Sequence, residues 1–342
     1  MDLYLPKDMM ALSALEFCQT LERLDYSKID EIAYRLQNFG TVEPFGMLLV
    51  GAKIREIKRR HINIKYKYYP VDSPHPYAGH MGFFRSIGIR YGKEPGEAPG
   101  SSTYAPISKL SVDKIKRDAI EQRKHVGEIV EAHAFSLAKI LHTGAKESIG
   151  HMTFSIREIM RNVVEHSKSQ TIWYAGQAWA SKGIVEIAIL DEGIGIQQTI
   201  NSNAYYAKHS YDNLESLKFA LEPGITKTFS PKRQNGDQDD WINTGFGLYM
   251  TSNICKKIGN FVICSGGHAL LKCNDVEDIR ETSFNGTAIR MRLRLSELSS
   301  VTELRKNLVN EGEKQARQNA KLAVKVASTA SKLSYMNKNI DS

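Results

Sequence analysis

Apolar residues recur along this chain at the spacings of helices and strands. In the first part of the sequence, the spacing predicts a strand at 32–36, an amphipathic helix at 46–60, a strand at 62–68 and a short helix at 81–87. Strands and helices that follow each other in this order are typical of a small α/β layer structure. We therefore expect an α/β unit in the N-terminal part of the chain.

The pattern changes after residues 92–102, where Gly, Pro and Ser are dense enough to predict a linker. Beyond it, the spacing predicts a long helix at 112–141, a buried strand at 184–190 and an alternating strand at 288–295. A final segment at 301–336 is rich in Ala, Lys, Leu and Gln and is predicted to be helical.

A row of polar side chains follows one face of a further predicted helix, at 157–166. Glu158, Asn162 and His166 are spaced by four residues, so they lie one above the other. An amide oxygen is a ligand that Mg²⁺ accepts, and a carboxylate can orient or deprotonate an attacking water. The alternative is that this row is the solvated face of an amphipathic helix.

Two glycines follow the strand at 184–190 directly, in the sequence Asp191-Glu192-Gly193-Ile194-Gly195. A carboxylate at the end of a buried strand can accept the amino proton of adenine, and it would repel the carbonyl of guanine. Gly193 and Gly195 allow the backbone to approach a flat ring closely. An ordinary exit from a strand into a turn is the alternative, because Asp and Gly are common turn residues.

A second glycine pair, Gly245-Phe246-Gly247-Leu248, precedes a segment with helical spacing. Backbone N–H groups at the start of a helix bind phosphate, whereas a plain junction between a loop and a helix is the alternative. Further on, Thr287 follows a glycine at the start of the strand at 288–295 and could hydrogen-bond a base or its water; the alternative is a simple turn.

The order of these segments resembles that of the GHKL ATPases, the family of the gyrase, heat-shock chaperone, histidine-kinase and mismatch-repair ATP-binding domains. Residues 158–162 resemble its N-box, 191–195 its first glycine box, 245–247 its second and 286–287 its last. The resemblance covers residues 145–296. It implies a Bergerat-type fold, with several helices on one face of a mixed, largely antiparallel sheet.

The same resemblance implies ATP and Mg²⁺ as ligands. Asn162 would hold the magnesium ion, Asp191 would bind adenine, and Glu158 would be the general base. His166 is similar to the histidine that anti-sigma-factor serine kinases carry at this spacing, with a hydrogen-bonded histidine at a helix end as the alternative. In GHKL proteins the segment corresponding to 224–243 is the ATP lid, from which Lys227 could reach a phosphate unless its charge only faces water.

The N-terminal unit resembles, in its order of elements, the STAS domain of anti-sigma-factor antagonists. In those domains a phosphorylatable serine precedes a helix that starts with Gly, and Gly46 matches that glycine. No Ser or Thr stands directly before Gly46, since the nearest hydroxyl is that of Thr41. A phosphoryl acceptor is therefore expected in trans, on a partner protein.

These likenesses predict an α/β fold, in the broad sense that includes α+β, with four parts. They are a STAS-like domain at 1–105, a linker helix at 106–144, a GHKL α/β sandwich at 145–298 and a basic helical tail at 299–342.

Composition narrows the classes of function. No apolar run reaches the roughly 18–20 residues that span a bilayer, and the N-terminus lacks the pattern of a signal peptide. The 4 cysteines form no CxxC pair, so neither a zinc site nor a disulfide framework is indicated, and a cytoplasmic location is expected.

The formal net charge of +8 is concentrated at 53–67 and in the tail. We expect the run at 53–67 to be a solvated helix face. Nucleic acid is a less favoured partner, because no nucleic-acid-binding motif accompanies the charge.

We therefore expect an Mg-ATP-binding regulatory protein that engages a protein partner, with a second copy of the chain as a further candidate. Two reactions remain open: transfer of the γ-phosphoryl group to a Ser or Thr of the partner, or hydrolysis of ATP as a conformational switch. The alternative is a non-catalytic module that uses bound nucleotide to shape a surface for protein or nucleic acid.

Overall fold

The computed structural model describes residues 1–36, 39–69, 75–141, 146–225 and 245–318. Within these residues, the chain forms two β-sheets with helices packed against them, which confirms the mixed α/β class. No helix in these ranges is long and apolar enough to cross a membrane.

The N-terminal unit contains a parallel three-stranded sheet in the order β1-β2-β3. Its elements, in chain order, are β1 (Asp2–Tyr4), α1 (Ala11–Glu22), β2 (Glu31–Arg35), α2 (Pro44–Arg60), β3 (Lys65–Tyr69), α3 (Pro76–His80) and α4 (Phe83–Ser86). The strands predicted at 32–36 and 62–68 and the helix predicted at 46–60 are confirmed with shifted ends. α2 begins at Pro44, since a proline at the first helical position has no N–H to leave unpaired.

The larger sheet is antiparallel throughout, with the strand order β4-β5-β6-β8-β7. Its strands are β4 (Tyr104–Ser111), β5 (Thr171–Trp179), β6 (Ile184–Asp191), β7 (Gly259–Cys273) and β8 (Val276–Arg294). The helices that accompany it are α5 (Val112–Glu121), α6 (Val126–Ile140), α7 (Lys146–Asn162), α8 (Gly195–Asn201), α9 (Asn213–Ala220), α10 (Gly247–Ile258) and α11 (Val301–Gln318).

Both faces of the larger sheet are buried. Side chains alternate along a strand, so Val185, Ile187 and Ile189 of β6 enter the core shared with α5–α11. Ala188 and Leu190 point the other way, into the core of the N-terminal unit. The N-terminal unit therefore covers the second face of this sheet.

A buried ion network joins the two units at the start of α2. Glu186, the polar member of the predicted strand at 184–190, is fully buried on β6. Its carboxylate accepts a hydrogen bond from the backbone N–H of Phe45 at 3.0 Å and from Arg290 Nε at 2.8 Å. Glu43 contacts the same Arg290 guanidinium at 3.4 Å. The polar residue inside an apolar strand is thus an anchor for α2.

The prediction of a single long helix at 112–141, which was expected to form most of a linker helix at 106–144, is wrong. Residues up to Ser111 belong to β4, an edge strand that the sequence pattern did not reveal. The helical stretch is broken between α5 and α6, where Arg123 has a φ of 54°. The His125 side chain then caps the new helix by accepting a hydrogen bond from the Gly127 N–H at 3.0 Å.

The prediction of a solvated basic face at 53–67 is also wrong for the first two cations of the run. Lys53 is fully buried, and its Nζ lies 2.9 Å from Glu22 and 3.2 Å from Glu56. Arg55 lies 2.8 Å from Glu192, and only 17% of its side chain is exposed. Lys53 and Arg55 therefore form ion pairs inside the protein.

The predicted C-terminal helix is present as α11, and the part of that prediction beyond residue 318 lies outside the described residues. α11 packs back on α10. A Cβ at Gly312 would lie 2.7 Å from the Tyr249 ring and 3.1 Å from the Phe246 ring, so only glycine fits this contact without a shift.

Candidate functional site

An open pocket lies between the end of α7, the end of β6, the middle of β8 and the start of α10. Its walls are mostly aliphatic, with a few polar groups, which is the usual make-up of a small-molecule site. The apolar lining is Ile159, Val163, Ile189, Ile196, Ile200, Ala220, Ile225, Leu248 and Ile289. The remaining lining residues are Asn162, His166, Ser167, Asp191, Thr199, Gly245, Gly247 and Thr287.

Most residues singled out from the sequence meet at this pocket. Seven line it directly, and they come from four separate segments of the chain: Asn162, His166, Asp191, Gly245, Gly247, Leu248 and Thr287. Glu158, Gly193, Gly195 and Phe246 are not among the lining residues. Lys227 lies outside the described residues.

Asp191 is the last residue of β6, and its side chain is buried, with 2% exposure. Burial raises the pKa of this carboxyl group to about 7, against the opposing effect of hydrogen bonds from Gly193 and Thr287. The Gly193 N–H donates to Asp191 Oδ1 at 2.8 Å. Asp191 is therefore a carboxyl group that titrates near neutral pH at the wall of the pocket.

Thr287 lies directly opposite Asp191, because the two residues form the last pair in the register of β6 and β8. The Thr287 side chain hydrogen-bonds the Asp191 carboxylate and also lines the pocket. A hydroxyl and a carboxyl group are thus held side by side at one end of the site.

The glycines of the first turn are required by contacts within the protein. A Cβ at Gly193 would lie 2.1 Å from the backbone oxygen of Ser167. The same oxygen accepts a hydrogen bond from the Ile194 N–H at 2.8 Å. The turn after Asp191 is therefore fastened to the end of the helical segment that carries Asn162 and His166.

That helical segment ends in a wider, π-helical turn, Val163–Ser167, which follows α7 directly. Such turns occur often at functional sites, because they displace side chains from regular helical positions. Here the turn carries His166 and Ser167 to the pocket wall. His166 Nε2 lies 3.7 Å from Glu165 Oε2.

The second glycine segment forms the start of α10. Gly245 has a φ of +76°, and a Cβ there would lie 2.3 Å from the backbone oxygen of Ile225. Phe246 occupies the N-cap position without a side-chain cap, and its own side chain is fully buried. The backbone N–H groups in the first turn of α10 have no partner within the helix and lie at its positive end.

Glu158 lies next to this second segment, since a Cβ at Gly247 would be 2.1 Å from Glu158 Oε2. Its other oxygen accepts hydrogen bonds from Arg157 at 3.0 Å and 2.5 Å. Arg157 also lies 3.5 Å from Glu131. The structure therefore places Glu158 in a buried ion cluster beside the pocket, and its catalytic role stays a prediction.

The pocket offers few protein ligands for a metal ion. The described residues contain no group of three or more His, Cys, Asp or Glu side chains that could hold one. Asn162 supplies one amide oxygen. This set fits Mg²⁺ only when phosphates and water complete its ligands, as is usual for magnesium bound with a nucleotide.

Ser265 is an important residue that the sequence reasoning missed. Its hydroxyl donates to the Gly286 oxygen at 2.6 Å and accepts from the Ile196 N–H at 3.0 Å. It thereby joins β8, just before Thr287, to the start of α8. A polar residue at the end of the apolar run in β7 was the available signal, although its partners lie far away in the sequence.

No protein-family model matches the chain, and no curated protein matches it. The likeness to GHKL proteins therefore rests on the sequence motifs.

Proposed function

We propose that this chain is a GHKL-type regulatory protein that binds Mg-ATP in the pocket between α7, β6, β8 and α10. One observation carries the proposal. Asn162, Asp191, Thr287 and the two glycines Gly245 and Gly247 come from segments far apart in the sequence, and all of them line one pocket. Each has the chemistry that a different part of a magnesium–nucleotide complex requires.

The base would bind at the end of the pocket formed by Asp191 and Thr287. An ionised carboxylate accepts a hydrogen bond from the adenine amino group, and it would repel the carbonyl that guanine has there. The aliphatic side chains of Ile189, Ile196 and Ile289 offer flat apolar contact to a ring.

The phosphates would lie towards the start of α10, where the N–H groups of the first turn and the helix dipole favour an anion. Magnesium bound to those phosphates would neutralise part of their charge, and Asn162 would supply its protein ligand. No Lys or Arg is among the lining residues in the described ranges. Cations from the segment that contains Lys227, the lid of the GHKL resemblance, would complete the phosphate site.

The favoured reaction is phosphoryl transfer to a Ser or Thr of a partner protein, with simple hydrolysis of ATP as the other candidate. The N-terminal unit would engage that partner, in line with its STAS-like order of elements. Glu158 is the candidate base, because it lies against Gly247 at the start of α10. It would have to exchange its contact with Arg157 for one with the attacking hydroxyl or water.

That ion pair also favours a second candidate, a nucleotide-dependent interaction module without catalysis. A carboxylate already hydrogen-bonded to Arg157 at 2.5 Å is occupied by a structural partner. In this reading, bound ATP would only change the shape of a surface that a partner recognises.

Binding is tested by titrating ATP and GTP, with and without Mg²⁺, into the full chain. Asp191→Asn is expected to abolish the preference for ATP, and Asn162→Ala to remove the dependence of binding on Mg²⁺. The matched controls are Asp275→Asn and Asn310→Ala, both at exposed positions away from the pocket. If the wild type binds no ATP, or if the Asn162 variant keeps full magnesium dependence, the proposed site is wrong.

The reaction is tested by following ATP labelled at the γ-phosphate, with the chain and its partner proteins present. Label on a protein supports the kinase, and free labelled phosphate supports the ATPase. Glu158→Ala should leave ATP bound and slow either process. Intact ATP in both wild type and variant would instead support the interaction module.

A further inference from the structure

Helix α2 of the N-terminal unit reaches both residues that flank the base end of the pocket. Arg55 Nε donates to Glu192 Oε1 at 2.9 Å, and Glu192 directly follows Asp191. On the next turn of α2, Arg59 lies 2.8 Å from the other oxygen of Glu192. Two arginines of one helix thus hold the residue next to Asp191.

Glu56, the residue after Arg55 in α2, contacts β8, the strand that pairs with β6. Glu56 Oε1 accepts a hydrogen bond from Asn285 Nδ2 at 2.9 Å, and Glu56 Oε2 accepts from the Asn285 backbone N–H at 3.4 Å. Asn285 precedes Thr287 by two residues. Consecutive residues of α2 therefore hold the two strands whose last pair is Asp191 and Thr287.

The segment of β8 that carries Thr287 is not held by a regular ladder of backbone hydrogen bonds on the side that faces β7. In the register of β7 and β8, Cys264 pairs with Ala288 and Gly266 pairs with Phe284. One residue of β7, Ser265, thus lies opposite residues 285–287 of β8, which form a bulge. A bulge interrupts the ladder of backbone hydrogen bonds, so the position of Thr287 depends on other contacts. Besides the pairing of Thr287 with Asp191 on β6, those contacts are Ser265 to Gly286 and Glu56 to Asn285.

The contacts that Arg55 and Glu56 make are largely shielded from water, whereas Arg59 is exposed. The side chains of Arg55 and Glu192 are 17% and 16% exposed, and that of Glu56 is 6% exposed. The Arg55 guanidinium also stacks on the Trp173 ring at 4.0 Å. Charged hydrogen bonds with so little exposure fix geometry more firmly than surface ion pairs do.

We propose that Arg55 and Glu56 are positioning residues for base recognition, which hold Asp191 and Thr287 at the spacing that admits adenine. The N-terminal unit then determines which base the pocket accepts, although none of its residues lines the pocket. The inference rests on the proposed function and extends it to the specificity of the same site.

The test compares three affinities of the full chain: for ATP, for GTP, and for inorganic tripolyphosphate with Mg²⁺. Arg55→Ala and Asn285→Ala should each lower the ratio of ATP to GTP affinity about tenfold, which corresponds to about 1.4 kcal/mol, the size of one hydrogen bond. Tripolyphosphate has no base, so its affinity should not change. Arg55→Lys, which keeps the charge, should restore part of the ratio.

Arg35→Ala is the matched control, because Arg35 also pairs with an acid of the N-terminal unit, Asp2, and stacks on an aromatic ring, that of Tyr69. It should leave all three affinities unchanged. The inference is overturned if Arg55→Ala and Asn285→Ala keep the wild-type ratio, or if they weaken tripolyphosphate as much as ATP. If the wild type itself binds no ATP, the proposed function fails first, and this inference fails with it.

Discussion

Asp191 is buried, although its proposed role in binding adenine requires an ionised carboxylate. The residue is 2% exposed, and burial raises the pKa of its carboxyl group to about 7. Hydrogen bonds from Gly193 and Thr287 partly oppose that effect, because they favour the ionised form. In the ligand-free protein, the group is therefore poised between its neutral and charged forms near pH 7.

This shift predicts how stability depends on pH. The unfolded chain has an Asp pKa of about 3.9, so between that value and about 7 the folded state holds a proton that the unfolded state releases. The resulting stabilisation is complete below the unfolded pKa and is lost as the pH rises through about 7, by up to about 1.4 kcal/mol per pH unit.

Asp191→Asn removes this titration, so the melting temperature of the variant minus that of the wild type should increase from pH 5 to pH 8. Thermal unfolding at both pH values measures it. Asp275→Asn, at an exposed position, serves as the control and should show the same difference at each pH. An Asp191→Asn difference that is independent of pH would contradict the raised pKa.

Among the helices, α11 supports the start of α10 from behind. The Phe246 side chain lies between the two pocket glycines in sequence, yet it points into the core and forms an edge contact with the Tyr249 ring. Gly312 of α11 lies against both rings. α11 therefore helps to position the backbone N–H groups in the first turn of α10, where the phosphates are proposed to bind.

Gly312→Ala should disturb this contact, because the new Cβ would lie 2.7 Å from the Tyr249 ring. We expect the free energy of unfolding to fall by about 1–3 kcal/mol, as is usual for overpacking a tight contact. ATP affinity should fall with it, since α10 must shift. Denaturant unfolding and ATP titration measure the two effects.

Gly267→Ala is the control for this change, because the nearest atom to its Cβ is 3.7 Å away, which is ordinary contact. It should leave both quantities close to those of the wild type. Equal effects of the two substitutions would show that the contact between α11 and α10 is not the cause.

For the molecule as a whole, stability depends on the burial of one face of the larger sheet by the N-terminal unit. Trp173, Leu190, Val262 and Phe284 belong to the core formed with the N-terminal unit. Such residues would form a large exposed apolar surface if that unit were absent. The two sheets therefore depend on each other for stability, even though a linker-like stretch separates them in sequence.

We accordingly predict that a shortened chain of residues 92–342 does not fold to a cooperative native state. It should bind a dye that reports exposed apolar surface, and it should lack a sharp thermal transition. Addition of the separate fragment 1–91 should reverse part of both effects. A sharp transition of the shortened chain near the wild-type melting temperature would contradict this view.

Local spacing was enough to predict much of the fold and of the candidate site. The strand before Asp191, the helix before Asn162 and the strand after Thr287 are all present, and these three residues line one pocket. This is because side-chain period and glycine position act within a few residues of the chain. The edge strand β4 and the break at Arg123 escaped prediction, since one depends on a distant partner strand and the other on a residue with no strong turn preference.

Distant partners were decided by the tertiary structure. Arg55 and Glu192 are separated by 137 positions, and nothing in the run of charges at 53–67 identifies that pairing. The same holds for Glu186 beneath the start of α2 and for Ser265 behind the bulge. Periodicity shows which face of an element is buried, whereas the identity of the surface that covers it follows only from how the whole chain packs.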